Sequence, residues 1–373
     1  MNITKALVVG GGIGGMAAAL RLTQSGVGVD IIDIDPDWRV YGAGITITGP
    51  TLRAFKRLGL LDEIGRTGAF VDGSKMFLFD GKLLSEHVEP PVEPGLPTVG
   101  GIMRPALHAL MARAVREAGV TVRLGLTAQT IEDQADHVDV AFSDGSTARY
   151  DLVVGADGIN SATRAMLFPD AVKPHYTGQG SWRIVVNRPA GMDKSQFYVG
   201  HANMVGMVAV SASQAYVFVL NPDPDKRRIE PKDQVRVLRE LLADFGGDIA
   251  TARDAIDDET QIVYRPLEAA LQPRPWNLQR VVLIGDAVHA TTPHLASGAG
   301  SAVEDAMVLA EELDRPGRSV RQALDAFTER RYERCRYVVE TSIAIGDHQL
   351  RRGAPQELGA MMGSAFKMLA GEY

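Results

Sequence analysis

The feature that most constrains this chain is a glycine-rich turn near its start. Ala6–Val9 is a short apolar run ending in Gly10-Gly11-Gly12-Ile13-Gly14-Gly15. Met16–Gln24, rich in alanine and leucine, reads as a helix stopped by Ser25-Gly26, and Val29–Asp33 alternates as a second strand. In a strand–turn–helix unit, Gly10 permits the tight turn, Gly12 lets backbone approach a pyrophosphate, and Gly15 lets helix pack on strand. The helix N-terminus offers unpaired N–H groups to the phosphates. An acid about 20 residues on should take a ribose hydroxyl. Asp33 stands there, with Asp35 as runner-up.

Strands separated by a helix of this length favour a doubly wound parallel sheet. Pro105–Glu117 reads as a second amphipathic helix ended by Gly119, and Val120–Leu124 as the next strand. Residues 127–150 read as an antiparallel meander turning at Asp144-Gly145. Leu152–Gly155 and Val281–Ile284 are continuous apolar runs, as in strands buried on both faces. The middle of the chain is different. Met76–Phe79, Ile184–Val186, Gln196–Val199, Met204–Val210 and Tyr216–Leu220 read as strands with few helices between them, and Pro90, Pro91, Pro94 and Pro97 mark a surface connection. Helical pattern returns over Val235–Phe245 and from Ser319 to about Leu350. The fold class is therefore α/β: a Rossmann-like domain with a parallel sheet, an inserted, mostly antiparallel sheet, and C-terminal helices. Expected boundaries are 1–70, 100–175 and 270–318 for the first domain, 71–99 and 176–269 for the second, and 319–373 for the helical segment.

The 373 residues carry a formal charge of −7, which argues against a dedicated nucleic-acid binder or a polybasic membrane-surface protein. No apolar run reaches the length of a membrane span. The single cysteine, Cys335, can form neither an internal disulfide nor a cysteine-rich metal site, so a reducing cytoplasm is the expected home. Met1–Lys5 runs straight into a strand, leaving no room for a signal peptide.

Two further glycine turns follow buried strands. One is Gly155-Ala156-Asp157-Gly158, continuing to Arg164; the other is Gly285-Asp286-Ala287-Val288-His289, continuing through Thr292-Pro293 to Gly298-Ala299-Gly300. With the N-terminal glycines, in this order over nearly the whole chain, they resemble the FAD-dependent aromatic hydroxylases, single-component flavoprotein monooxygenases of the para-hydroxybenzoate and salicylate hydroxylase type. The resemblance implies FAD as cofactor and NADH or NADPH as a transient hydride donor. It implies O2 and a small aromatic or heteroaromatic substrate, hydroxylated through a flavin C4a-hydroperoxide. A urate-type hydroxylase, an epoxidase, a ketone oxygenase and a flavin oxidoreductase without oxygen insertion are the alternatives. Monomer and homodimer both remain open.

The same resemblance assigns residues. Gly10, Gly12, Ile13, Gly14, Gly15 and Asp33 would hold the adenosine diphosphate, with Arg39 as the basic residue after the acid. Gly44, in the Gly42–Ile45 stretch, and Arg104 would lie beside the cofactor. Asp157 and Gly158 would serve FAD and nicotinamide, with Arg164 close by. Gly285 and Asp286 would meet the ribityl chain. Pro293 and the helix N-terminus at Gly298, Ala299 and Gly300 would face the flavin's pyrimidine edge, where negative charge collects on reduction. His201, Tyr216 and His294 are the candidate substrate-activating groups. Arg183, after Trp182, and Tyr216 are candidate substrate contacts, since an arginine can hold a carboxylate in two prongs. Each has a structural alternative: Tyr216 as core, His201 as a turn cap, His294 as a group that orients the flavin loop, and Arg183 as a brace of the FAD. No metal is expected. Lys226-Arg227-Arg228 and Arg330-Arg331 read as solvated faces, and Cys335 as a buried or neutral thiol.

Overall fold

The computed structural model describes residues 3–40, 42–88 and 90–373; Met1 and Asn2, the start of the segment read as too short for a signal peptide, lie outside them. A five-stranded parallel sheet in the order β18-β12-β1-β2-β8 forms the first layer. Its strands are β1 (Lys5–Val9), β2 (Gly28–Asp33), β8 (Thr121–Leu124), β12 (Leu152–Gly155) and β18 (Val281–Leu283). Leu152, Val153, Val154 and Val281–Leu283 are wholly buried, as strands covered on both faces must be. Helix α1 (Ile13–Gln24) starts three residues earlier than the alanine-rich run suggests.

A seven-stranded sheet in the order β17-β13-β16-β15-β14-β5-β6 forms the second body. It contains β5 (Ser74–Leu78), β6 (Leu83–His87), β13 (His175–Asn187), β14 (Ser195–Val199), β15 (Met204–Ala209), β16 (Gln214–Pro222) and β17 (Val263–Leu271). Every pairing is antiparallel except β14 with β5. One face, with Trp182, Ile184, Val205, Met207, Val217 and Val219, is sealed by Leu238, Leu242, Phe245 and Ile249 from helices α6 (Pro231–Leu241) and α7 (Gly247–Asp254) and the link between them. The other face, with Val208 and Tyr216, packs with Ala43 and Met103.

A three-stranded sheet of β3 (Gly44–Thr48), β7 (Val99–Met103) and β4 (Ala69–Val71) joins the two bodies. At Gly101 a side chain would begin 2.2 Å from the carbonyl oxygen of Ala209 on β15, so only glycine allows the small sheet to lie this close. The meander of β9 (Ala128–Asp133), β10 (Val138–Phe142) and β11 (Thr147–Tyr150) follows the expected pattern, with Gly145 at φ +81° in its turn.

Helices α2 (Gly49–Leu58), α3 (Leu61–Thr67), α4 (Arg104–Glu117), α5 (Ala162–Leu167), the single turn α8 (Asp286–His289) and α9 (Gly298–Asp314) surround the parallel sheet. Helices α10 (Val320–Leu350) and α11 (Pro355–Ala370) end the chain. α10 begins with a capping box, Ser319 bonded to the Gln322 N–H and the Gln322 side chain to the Ser319 N–H. Its Leu324 and Phe327 enter the main core, and Val338 and Ile345 pack with Leu369 of α11.

One expectation fails here. Arg330-Arg331 is not a solvated face, because Arg331 is 0% exposed between α10 and α9. It donates to Asp305 at 2.7 Å and pairs with Glu304 at 2.9 Å, while Arg334 grips Glu304 with two bonds of 2.9 Å. Lys226, Arg227 and Arg228 do stay at the surface, each facing an acid. Cys335 is buried.

Candidate active site

At one end of the cleft the first glycine turn is held by contacts only glycine permits. Gly10 has φ +106°, and a Cβ there would meet the Ala156 carbonyl oxygen at 2.4 Å; one on Gly15 would meet the Gly10 carbonyl oxygen at 1.9 Å. Gly12 differs, with nothing within 4 Å of its Cβ position. It caps α1, whose first turn carries no acid, and the first helical bond is donated by the Met16 N–H. The N–H groups of Ile13, Gly14 and Gly15 thus converge on open space beside Gly12, which fits a diphosphate in both charge and room.

Asp33 sits opposite, accepting from the N–H groups of Gly11 (2.6 Å) and Asp35 (2.8 Å). Trp38, which the sequence reading did not single out, donates from Nε1 to the Gly11 carbonyl at 2.9 Å and lies beneath Arg116, backing the same turn. Arg39 lies at the surface, paired with Asp35 and Asp37.

The second turn packs against the first, and Asp157 presents its backbone to Gly10. Its carboxylate is taken up by Ser161 Oγ (2.5 Å) and by the N–H and Oγ1 of Thr163 (both 2.9 Å), so the side chain caps α5. Gly158 takes φ +80°. Arg164 forms no surface salt bridge. It is buried, donating to the carbonyls of Ala287 (2.7 Å) and Ile159 (2.8 Å), and so ties the second turn to the third.

At the third turn Gly285 has φ +60°. The Cβ of Ala302 on α9 lies 3.1 Å from the Cβ positions of both Gly14 and Gly285, so one small side chain touches two of the glycine motifs. Asp286 opens onto the cleft. Enough protein surrounds it that burial pushes its carboxyl above the ordinary range, against the pull of His289 and Arg104. The N–H groups of Gly298, Ala299 and Gly300 open α9, whose first turn has no acid. At Gly300 a Cβ would fall 2.0 Å from Thr51 Oγ1. Pro293 lies half-buried in the 3-10 turn Pro293–Leu295 just before.

A charge network that sequence reasoning missed braces this turn. Asp305 Oδ2 accepts from the Gly285 N–H at 2.9 Å and lies 2.6 Å from His289 Nε2, while Oδ1 accepts from Arg331. Burial opposes it, but His289 and Arg331 hold the Asp305 carboxyl below its usual range, and Cys335 and Asp305 together raise His289 well above 6.5. His289, Asp305 and Cys335 lie within 4.8 Å of one another, a set that resembles a metal site in residue type. Arg331 bonds both Asp305 and Cys335, so a guanidinium already supplies the positive charge an ion would bring.

At the far end, Tyr216 is buried with its hydroxyl 2.6 Å from Thr46 Oγ1, and its ring fills the space that a side chain at Gly44 would occupy. Burial pushes its phenol above the ordinary value. Arg183 stands near it on the cleft-facing side of β13. Burial lowers its guanidinium, Tyr216 opposes this, and Arg104 and Arg265 add to it. Tyr216 and Arg183 are therefore brought together. His201 is not with them. It is exposed in the β14–β15 turn, its ring tilted at 44° to that of Phe79 with centroids 4.5 Å apart. That turn joins the Val199–Met204 pair, whereas Tyr216 pairs with Val208 at the opposite end of the hairpin. At about 3.3 Å per residue the separation is roughly 15 Å. His294 is buried behind Pro293, its Nδ1 2.9 Å from Thr292 Oγ1, and burial takes it down to about 4.

A family model described as FAD binding domain matches residues 3–342. The putative FAD-dependent monooxygenase YetM of Bacillus subtilis is 30% identical over 98% of this chain and 99% of its own. The 2-heptyl-3-hydroxy-4(1H)-quinolone synthase of Pseudomonas aeruginosa is 33% identical over 91% of this chain and 88% of its own. Among solved structures, Klebsiella pneumoniae HpxO complexed with FAD and uric acid superposes with a TM-score of 0.83 at 26% identity, covering 98% of this chain and 92% of that one.

Proposed function

Since the chain belongs to the FAD binding domain family of FAD-dependent monooxygenases, we propose that it uses NADH or NADPH and O2 to hydroxylate a small aromatic or heteroaromatic ring. The observation that carries this reading is the meeting of the glycine turns around Ala302 and Gly10, in a cleft that ends against the open face of the seven-stranded sheet. Nothing in packing alone asks for Gly12 to face empty space or for α1 and α9 to open without an acid.

FAD, when bound, supplies hydride acceptance and the activation of O2. The chain's residues do the rest. Ile13, Gly14 and Gly15 N–H groups take the diphosphate and Asp33 the ribose. Asp286, with Arg104 beside it, takes hydroxyl groups of the ribityl chain. The first turn of α9 places positive dipole at the edge where charge gathers. Tyr216, fixed by Thr46, and Arg183 orient the substrate, with residues 71–99 and 176–269 forming its wall. The sheet shields the reacting centre from water. The relatives named for a quinolone and crystallised with uric acid support a flat nitrogen heterocycle among the substrates to try first. Its demand for reduced nicotinamide supports a cytoplasmic site of action.

The test is incubation of the FAD-loaded protein with NADH or NADPH, oxygen-18 gas and a panel of phenols, hydroxypyridines and quinolones. Label in the product is expected. Hydrogen peroxide alone, with every compound, would overturn oxygen insertion.

A further inference from the structure

The end of α11 is held by arginines from two other helices. A helix leaves the carbonyls of its last turn without partners of its own. Here Arg53 of α2 donates to the carbonyls of Ala370 (3.1 Å) and Gly371 (2.6 Å), and Arg334 of α10 donates to that of Leu369 (2.7 Å). Arg330, also on α10, gives two bonds of 3.2 and 2.7 Å to the Tyr373 carbonyl. The Tyr373 side chain is buried, its ring centre 5.2 Å from the Arg53 guanidinium. Arg53 itself is 2% exposed, with the exposed Glu372 at 3.6 Å. A guanidinium so enclosed needs acceptors, and it takes them 317 and 318 positions further along the chain.

The same helices meet at the first turn of α9. Arg334 also grips Glu304 of α9 with two bonds of 2.9 Å. On α2, Thr51 lies against α9, its Oγ1 2.0 Å from where Gly300 would carry a Cβ. Thr51 and Arg53 are two positions apart, about 200° around an α-helix, so α2 has α9 on one side and the end of α11 towards the other. The three contacts close a triangle. Thr51 joins α2 to α9, Glu304 and Arg334 join α9 to the end of α11, and Arg53 joins that end back to α2. The amide groups assigned above to the flavin edge, at Gly298–Gly300, lie in the turn that Thr51 presses. Without Arg53, α2 loses its anchor on the side away from that turn.

We infer that Arg53 is a positioning residue for the cofactor: through the Ala370 and Gly371 carbonyls it fixes how α2 meets the first turn of α9, and so couples the docking of residues 368–373 to the binding of FAD. Linkage makes the coupling reciprocal, so FAD tightens that docking by the factor by which docking tightens FAD. The inference goes beyond the proposed reaction and uses only the FAD site.

The experiment has two readouts, neither of them turnover. One is the FAD dissociation constant, from the flavin fluorescence that appears as the holoprotein is diluted. The other is hydrogen–deuterium exchange of the peptide covering 368–373, at limiting and at saturating FAD. Arg53→Met should weaken FAD about tenfold and Tyr373→Ala about fivefold, with Arg53→Lys recovering part of the loss. In the unaltered protein, saturating FAD should slow exchange at 368–373 about fivefold or more, and Arg53→Met should remove most of that slowing. Leu238→Ala separates positioning from mere loss of stability, because Leu238 is buried against the seven-stranded sheet and has no part in the triangle. It should leave FAD affinity within about twofold while lowering the urea midpoint. FAD held equally well by Arg53→Met, exchange at 368–373 indifferent to FAD, or Leu238→Ala weakening FAD as much as Arg53→Met would each overturn the inference. If Arg53→Met does not fold, Tyr373→Ala and the exchange of the unaltered protein decide it. Hydrogen peroxide as the sole product with oxygen-18 gas would remove the hydroxylase and keep this coupling, whereas exchange indifferent to FAD would do the reverse.

Discussion

Replacing Arg331 by leucine tests the buried charge network most directly. The side chain is 0% exposed and loses a 2.7 Å bond to Asp305, a 2.9 Å pair with Glu304 and a 3.2 Å bond to the Ser301 carbonyl. Removing one partner from a buried ion pair costs about 3–5 kcal/mol. Both carboxylates keep other partners here: Glu304 retains both bonds from Arg334, and Asp305 retains His289 and the Gly285 N–H. The expected loss is therefore near the lower limit, about 3 kcal/mol, a large share of an ordinary domain stability of about 5–15 kcal/mol. Arg336→Leu is the control on the same helix, because its pairs with Glu333 and Glu340 are exposed and such pairs contribute little. Urea unfolding followed by far-ultraviolet circular dichroism, at fixed excess FAD, measures both. Losses within about 1 kcal/mol of each other would refute the network and return Arg331 to a solvated face.

Two further changes separate folding from binding and from titration. Gly12→Val should leave the fold intact, since Gly12 has φ −74° and ψ −176° and no atom within 4 Å of its Cβ position, yet it should abolish FAD retention, read as a colourless protein with an unchanged circular dichroism spectrum; retained yellow colour counts against the diphosphate site. His294 is held at about 4 against an ordinary 6.5, so between those values the unfolded chain binds a proton that the native one does not. Stability should then be greatest above pH 6.5 and fall by about 3 kcal/mol as pH drops to 4, and His294→Phe should flatten that limb in urea titrations; an unchanged slope contradicts it.

How much of this was legible in the sequence depended on the kind of constraint. The glycine turns were readable because their glycines answer local contacts, such as Gly15 against the Gly10 carbonyl. Helix α2 went unread although Pro50 begins it and Gly59, at φ +83°, ends it. Arg331 also left a signal that adjacency to Arg330 obscured. On a helix it shares the stripe of Leu324, Phe327, Cys335 and Val338, all buried, whereas Arg330 falls off that stripe. An arginine inside an apolar stripe, with Glu304 and Asp305 inside another, amounts to a pair of misfits that satisfy each other. That His201 lies apart from Tyr216 and Arg183 was hidden for a different reason. Titratable type marks a candidate, but its place is set by hairpin register, and one residue type cannot carry that information.

The charge count shows the same limit from the opposite side. A chain at −7 argues against a polyanion-binding surface, yet Arg104, Arg183 and Arg265 act on one another, and Arg104 also acts on Asp286. Net charge is a sum over the surface, where each arginine of the 226–228 cluster is cancelled by a facing acid. Arg183 and Arg265 escape that cancellation because the neighbouring strands β13 and β17 bring them together with no ion pair to either among the described residues. Local field is a product of topology, so it becomes visible only once register fixes which residues look the same way.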